Sequence, residues 1–131
     1  SSRSTRVVVT GMGAVTNLGH NAADTWAAMR AGRSGISPIE GADFKRWEGQ
    51  WETTFGGEIK GWDPTKAMDF REAKRVDRFT QLGMAAAVEC VAQSGLDFSR
   101  LDGERCGVIF GSGIGGIQTI EEGKAVIDAK G

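Results

Sequence analysis

The chain has 131 residues, of which 40% are hydrophobic and 25% are charged, a composition typical of one globular domain. Its formal net charge of −1 argues against a nucleic-acid partner or an anionic membrane surface, and no apolar run is long enough to cross a bilayer. Two cysteines, Cys90 and Cys106, form neither a disulfide framework nor a metal-binding spacing, so we expect no metal and a reducing, cytoplasmic setting.

The first predicted element is a strand over Arg6–Thr10, because its continuous β-branched residues are typical of a strand buried on both faces of a parallel sheet. A loop follows that contains several glycines. Asn21 or Asp24 is placed to cap a helix over Thr25–Ala31, and Gly32 stands where a helix C-terminus favours glycine. The chain therefore begins with a predicted strand, loop and helix.

The stretch Arg33–Trp62 has no clean periodicity and is interrupted by repeated glycines. We predict an irregular excursion with a short strand near Thr53–Ile59. Three of the four tryptophans lie in this stretch, and we expect them to hold the excursion on the body of the protein by burying large apolar side chains. They are Trp47, Trp51 and Trp62.

The second half of the chain is predicted to be mainly helical. A short helix starts at Pro64, and Asp77 can cap a longer helix that ends at Ser94-Gly95. Because this helix carries Gly83 and a run of alanines, it is small on nearly every side, and we expect it to be largely buried. A last helix is predicted over Ile117–Ala129. The element order predicts an α/β fold with a parallel or mixed sheet packed with helices.

The most distinctive stretch is Gly107–Gly116, in which a short predicted strand runs into a glycine-rich turn before the last helix. Gly111, Gly113 and Gly116 satisfy the G-x-G-x-x-G pattern of dinucleotide-binding sites, where a helix N-terminus binds phosphate. That pattern also needs an acidic residue about twenty positions later, at the end of another strand. The nearest candidate, Asp128, lies in the predicted helix, so the nucleotide hypothesis is incomplete.

Candidate catalytic side chains are few. Cys90 lies within the long helix on an apolar face and Cys106 opens a predicted strand, so we interpret both as core residues and not as nucleophiles. Ser112 does not stand in a G-x-S-x-G motif, and His20 is the only histidine. We therefore predict no catalytic residue within this chain.

A basic stretch lies between Lys66 and Arg78, where five basic residues outnumber three acidic ones. Arg71, Lys74 and Arg75 recur at helical spacing, so they share one face if the stretch is helical. Two interpretations are open for this face. It is either an ordinary solvated surface or a docking surface for an acidic partner.

Four stretches stand out in order along the chain: Arg6–Gly13, Ala31–Ile36 with the preceding Trp26, Arg75–Phe79 and Phe110–Gly116. Taken together, they resemble the elongating type II β-ketoacyl-acyl carrier protein synthases. The resemblance runs from about Arg6 to the end of the chain and implies a thiolase-like fold. It makes residues 1–131 the N-terminal portion of the first of two thiolase-like halves, and we expect the core to be incomplete because few strands are available.

The resemblance implies a decarboxylative Claisen condensation between an enzyme-bound acyl group and malonyl carried on acyl carrier protein. In that family a cysteine takes the acyl chain and two histidines assist, but none of these three residues is present here, and Cys90 and Cys106 do not match the nucleophile. The family also implies acyl and malonyl thioesters and acyl carrier protein as partners, a homodimer, and no cofactor.

Two groups of residues match functional positions of the family. Ile114, beside Gly113 in the glycine turn, matches the residue that lines and gates the acyl pocket, so we expect both to bind substrate. Arg71, Lys74 and Arg75 match basic positions that meet the acidic face of acyl carrier protein. Two alternatives stay open: a polyketide-type ketosynthase or its chain-length partner, which shares these stretches, and a dinucleotide-binding domain.

Overall fold

The computed structural model describes residues 4–45 and 47–131, and it divides into two compact units. One unit is Ala14–Asp63, and the other combines the described part of Ser1–Gly13 with Pro64–Gly131. The helices and strands are α1 (Ala22–Arg30), β1 (Ser37–Pro38), α2 (Ala42–Lys45), β2 (Phe55–Gly56), α3 (Phe70–Ala73), α4 (Arg78–Ser94) and α5 (Ile117–Lys130). Short 3-10 turns cover Pro64–Lys66, Phe98–Arg100 and Gly103–Arg105.

The unit that contains α4 confirms the predicted helices. The short helical turn begins at Pro64, and α5 covers the predicted last helix with one further residue at its end. Helix α4 ends at Gly95, whose φ of +64° lies in the left-handed region that favours glycine. The sequence therefore predicts the ends of these helices correctly from local capping chemistry.

Backbone segments lie unusually close to α4. A Cβ atom added to Gly13 would overlap the carbonyl oxygen of Ala86, and one added to Gly11 would overlap that of Cys90. Between these glycines, the Met12 N–H donates to Gln93 Oε1 at 2.6 Å. Gly11 and Gly13 are therefore required by close contact with a helix, because only a residue without Cβ fits there.

The predicted parallel sheet is not assembled in the described part of the chain. Neither Arg6–Thr10 nor Gly107–Phe110 forms a hydrogen-bonded strand there, and Val7 and Ile109 are 92% and 101% exposed. A strand forms only when a neighbouring strand takes up its backbone N–H and C=O groups. The one sheet within these described ranges is the two-stranded antiparallel pair of β1 and β2.

Burial of α4 is also less than predicted. Gly83 is its only buried residue, whereas Met84 and Val88 are each 47% exposed. The prediction of a largely buried helix is therefore wrong for this structure, because the surrounding layer leaves much of the helix surface uncovered. Within the described residues the buried hydrophobic side chains are Ala28, Trp62 and Ala73, which agrees with the expected incomplete core.

The unit Ala14–Asp63 begins with α1, and its start follows the predicted chemistry. The side chain of Asn21 accepts the backbone N–H of Asp24 at 2.7 Å, so Asn21 is the residue that caps α1. At the other end, Gly32 follows the helix with a φ of +65°. The two capping residues fix the length of α1 locally.

The irregular excursion contains little regular structure. In the antiparallel sheet Ser37 lies opposite Gly56, which confirms the short strand predicted near Thr53–Ile59. Trp62 is buried, but Trp47 and Trp51 are 49% and 61% exposed, so the expectation of three buried tryptophans holds for one of them. Large rings contribute to stability mainly through buried area, so Trp62 contributes most of the three.

The carboxylate of Glu58 ties the two sides of this excursion together. Its Oε2 accepts the Glu40 N–H at 2.8 Å and its Oε1 accepts the Gly41 N–H at 2.9 Å. The hydrogen bond from Glu40 is the main cause that lowers the pKa of Glu58 from its ordinary value. The Gly41 N–H and the Lys60 ammonium lower this pKa further, while partial desolvation opposes them.

We predict that this anchor weakens in acid. Because the pKa of Glu58 is lower in the folded chain than in the unfolded one, its stabilisation is complete above the ordinary glutamate value of about 4.3 and is lost as pH falls through the folded value. Protection factors for amide exchange at Glu40 and Gly41 should therefore fall with acidification. In Glu58→Gln they should be lower at neutral pH and independent of pH, and equal pH dependence in both proteins would contradict the assignment.

Candidate functional site

The glycine turn Gly111–Gly116 lies between the end of the apolar stretch and the start of α5. The Gly115 N–H donates to Ser112 Oγ at 2.9 Å, and Gly115 has a φ of +75°. The Ile117 N–H then donates to the Gly115 carbonyl at 3.0 Å. These local bonds shape the second half of the turn, and Gly115 is required there because its backbone is left-handed.

Ile114 is the only bulky side chain in this turn, and it is 71% exposed. Apart from the adjacent residues of the chain, no described atom lies within 4 Å of the position that a Cβ on Gly111 or Gly113 would occupy. Ile114 therefore projects from a stretch of backbone with open space on both sides. An exposed aliphatic side chain on such a stretch is suited to contact an apolar ligand.

The start of α5 carries an acidic group. The Asp77 carboxylate lies against Gly116, where an added Cβ would overlap Oδ2, and Asp77 Oδ1 accepts a hydrogen bond from the Thr119 hydroxyl. A phosphate at this helix N-terminus would meet a negative charge already in place. Asp128 lies within α5 and forms an ion pair with Lys124, so it does not supply the acid that the dinucleotide pattern needs. The geometry thus argues against the nucleotide hypothesis.

The basic stretch is divided between two helices. α3 ends at Ala73, Lys74 is its C-terminal cap, and α4 begins at Arg78 after Asp77 adopts an extended conformation. Arg71 therefore lies in α3, Lys74 at its cap and Arg75 in the turn that follows, so the continuous helix on which a shared face depended is not formed. Asp77 starts the next helix, which separates Arg78 from these three cations.

Local bonds hold this helical corner in place. Asp69 Oδ1 accepts the Arg71 N–H at 2.7 Å and caps α3, while Gln81 Nε2 donates to the Ala73 carbonyl at 2.7 Å. The Lys74 ammonium lies 4.3 Å from the centre of the Phe70 ring. These contacts order the backbone that carries the cations, and the Phe70 ring is an aromatic partner for the charge of Lys74.

Arg71, Lys74 and Arg75 are all exposed, and within residues 4–45 and 47–131 none of them forms an ion pair. Beside Arg75 the surface forms an open groove of about 300 Å³. Of the three cations only Arg75 lines this groove, and a positive side chain beside an apolar groove is suited to an acidic, partly apolar partner. The groove is lined by Met68, Glu72, Arg75, Val76, Thr80 and Met84.

The unit Ala14–Asp63 holds a polar cleft of about 510 Å³ that includes His20 and Arg33. The Nε2–H of His20 donates to the Lys60 carbonyl at 2.9 Å, since a carbonyl oxygen can only accept. His20 thus links the loop before α1 to the backbone at Lys60. No cluster that could hold a metal occurs in the part of the chain that the structure describes.

The two cysteines differ in their surroundings. Cys90 is partly buried in α4, so the prediction that it is a core residue holds only in part. Cys106 is exposed and its Sγ donates to the Asp102 carbonyl at 3.4 Å, so the prediction that it is a core residue is wrong. The cause is that the stretch it opens, Gly107–Phe110, has no neighbouring strand in the described structure.

Comparison with known proteins identifies the family to which this chain belongs. The beta-ketoacyl synthase N-terminal domain matches residues 4–130. The chain belongs to the β-ketoacyl synthase family. The expected thiolase-like α/β class is confirmed by this match and by the structural similarity to a ketosynthase, although the sheet itself is small in the described residues.

Relatives are named 3-oxoacyl-acyl-carrier-protein synthase 2. Those of Synechocystis sp. and Vibrio cholerae are 37% and 40% identical over 96% of this chain, which covers 29% and 30% of their lengths. A solved structure, the ishigamide ketosynthase/chain length factor, has a TM-score of 0.61 and 30% identity over 72% of this chain and 22% of its own. The chain therefore spans less than a third of these family members.

No helix in the described ranges has the length and hydropathy needed to cross a bilayer.

Sequence patterns found the glycine turn and the basic residues, but they missed the Asp77–Thr119 hydrogen bond, because its partners are 42 residues apart. Helical periodicity reports only neighbours three or four positions away, so no local signal could pair these side chains.

Proposed function

We propose that this chain is the N-terminal part of an elongating β-ketoacyl-acyl carrier protein synthase of fatty-acid synthesis. The observation that carries the proposal is the family match over residues 4–130, supported by synthase 2 relatives that are 37–40% identical over 96% of the chain. The whole enzyme would be a cytoplasmic homodimer that acts on acyl and malonyl thioesters and binds acyl carrier protein.

In the proposed reaction, the malonyl group loses its carboxylate as CO2. The electron pair of the broken C–C bond attacks the carbonyl carbon of the acyl thioester on the enzyme, and the cysteine thiolate leaves. Covalent catalysis and oxyanion stabilisation supply the rate enhancement. The nucleophilic cysteine and the two histidines of such an enzyme are not among these 131 residues, so this chain contributes binding surfaces and no reacting group.

Within that enzyme, Gly113 and Ile114 would form a wall of the acyl pocket. The exposure of Ile114 and the open space around Gly113 support this role. Arg71, Lys74 and Arg75 would meet the acidic face of acyl carrier protein, a role supported by their exposure and by the absence of ion pairs to them within the described structure.

A second candidate is a polyketide-type ketosynthase or its chain-length partner. The structural similarity to the ishigamide ketosynthase/chain length factor favours it, because that similarity covers 72% of this chain. The residue at the nucleophile position in a longer protein carrying this chain separates the candidates. A cysteine there supports a condensing enzyme, and its replacement supports a chain-length partner.

The activity itself is tested with a full-length protein that contains this chain. We expect release of CO2 from malonyl-acyl carrier protein that depends on an acyl acceptor, and a product two carbons longer by mass spectrometry. A protein that forms no product with acyl acceptors of any length would contradict the synthase proposal. If it were also protected from heat by a nicotinamide or flavin dinucleotide, the dinucleotide hypothesis would replace it.

The acyl wall is tested by Ile114→Phe in the same protein. The larger ring should lower kcat/KM for long acyl groups by about tenfold or more relative to short ones, which should still be condensed. Ile114→Leu, of similar volume, is the matched control. Gly113→Ala adds a methyl group where the structure has room, so a changed length profile would report contact with substrate. An unchanged profile in Ile114→Phe would reject the wall.

The docking surface is tested by reversing the charge of Arg71, Lys74 and Arg75 to Glu. The KM for malonyl-acyl carrier protein should rise roughly tenfold at low salt, and the difference from the unmodified protein should shrink as salt increases. The matched control reverses three exposed cations of the other unit, Arg30, Arg33 and Lys45, and changes net charge equally. Equal effects in both triple variants would show that only overall charge matters.

A further inference from the structure

The glycine turn is held against α4 at both of its ends. Before the turn, the Phe110 ring packs on Gly83, where an added Cβ would lie 2.7 Å from Cζ. After it, Gly116 lies against the Asp77 carboxylate, and the position of a Cβ on Gly115 is 4.0 Å from the Phe79 ring. The segment 111–114 therefore spans two anchors on one helix.

The two anchors differ in kind. The Phe110 contact is apolar and depends on the missing side chain of Gly83, which is the buried residue of α4. The second anchor is polar, because Thr119 Oγ1 donates to Asp77 Oδ1. A charge-assisted hydrogen bond is more directional than an apolar contact. The polar anchor therefore fixes the end of the turn nearer to Ile114.

Asp77 occupies the N-cap position of α4 with an extended backbone, φ −64° and ψ 159°, yet its side chain makes no capping hydrogen bond to that helix. An Asp in this position ordinarily accepts a backbone N–H from its own first turn. Here the carboxylate instead serves the first turn of α5. One side chain thus joins the starts of two helices, and its negative charge is favourable at both N-termini.

We propose that Asp77 is a positioning residue for acyl-chain selection, which it sets by anchoring the Gly115–Gly116 end of the turn through Thr119. This inference rests on the proposed function of Ile114. Since a Cβ on Gly111 or Gly113 would meet no described atom beyond its chain neighbours, no packing against those positions holds Ile114, and its place depends on the anchors at the ends of the turn. Loss of the polar anchor leaves the wall in place but less well fixed, so long and short acyl groups are distinguished less sharply.

The experiment uses the full-length synthase and the ratio of kcat/KM for a long and a short acyl acceptor. Thr119→Val removes the donor while keeping the shape of the side chain, and Thr119→Ser keeps the hydroxyl. We expect Thr119→Val and Asp77→Ala each to change the ratio several-fold. Thr119→Ser should keep the ratio of the unmodified protein, and Asp77→Asn, which retains an acceptor oxygen, should restore most of it.

The double variant Asp77→Ala with Thr119→Val should change the ratio no more than either single change, because both remove the same bond. Fully additive effects, or an unchanged ratio in Thr119→Val, would overturn the inference. If Asp77→Asn behaves like Asp77→Ala, the role of Asp77 is its charge at the helix starts and the proposed anchor is wrong.

Amide exchange across residues 111–118 gives a readout that does not need activity. Exchange should be faster in Thr119→Val than in Thr119→Ser, and equal rates would contradict the anchor.

The kinetic results separate this inference from the acyl wall. If Ile114→Phe changes the ratio of kcat/KM for long and short acyl groups but Thr119→Val does not, Asp77 is not a positioning residue and the acyl wall is supported. If Ile114→Phe leaves the ratio of kcat/KM for long and short acyl groups unchanged, the acyl wall is rejected. The role of Asp77 in acyl selection is then rejected too, even if amide exchange shows that its hydrogen bond to Thr119 holds the turn.

Discussion

Close contact between backbone and α4 is the constraint on which the rest of this unit depends. At Gly13 and Gly11 the approach is so close that a Cβ would overlap carbonyl oxygens of the helix, and at Gly83 the helix in turn makes room for the Phe110 ring. Glycine at these positions removes the atom that would keep the elements apart. Helix α4 therefore acts as a platform on which the start of the chain and the glycine turn are both located.

The hydrogen bond of Asp77 shows how packing around α4 determines which polar groups meet. A capping bond to its own helix and a bond to Thr119 would both be hydrogen bonds to a charged carboxylate, so they are of similar strength. Packing brings the Thr119 hydroxyl within reach of the carboxylate, and the bond to Thr119 forms in place of the local one. The carboxylate still lies at the N-terminus of α4, where its charge remains favourable without the capping bond.

Sequence reasoning succeeded where the controlling interaction is local. Asn21 caps α1, and Gly32 and Gly95 follow helices with positive φ, as their residue types predict. It failed where a partner from elsewhere decides the outcome. Val7 and Ile109 have strand propensity but no neighbouring strand within the described residues, and propensity alone does not satisfy a backbone.

For the candidate site, the sequence identified the glycine turn and the basic residues but not how the structure holds them. The basic run looked like one helical face, yet the extended backbone of Asp77 divides it between two helices. The predicted cap at Asp77 marks this break, whereas the spacing of the cations does not, because a shared face at three and four positions requires one continuous helix. The Thr119 contact was also invisible, because it depends on how α4 and α5 are placed by packing.

The glycines of the turn show why a motif needs its surroundings before it implies chemistry. In a dinucleotide site the same spacing lets backbone approach a phosphate at a helix N-terminus. Here the Asp77 carboxylate lies at that position, so Gly116 makes room for a side chain of the protein itself. At Gly111 and Gly113 the positions of a Cβ are open instead, and Ile114 lies on a short span between two anchors. The glycine spacing that is typical of a phosphate-binding loop thus serves here to position one apolar side chain, that of Ile114.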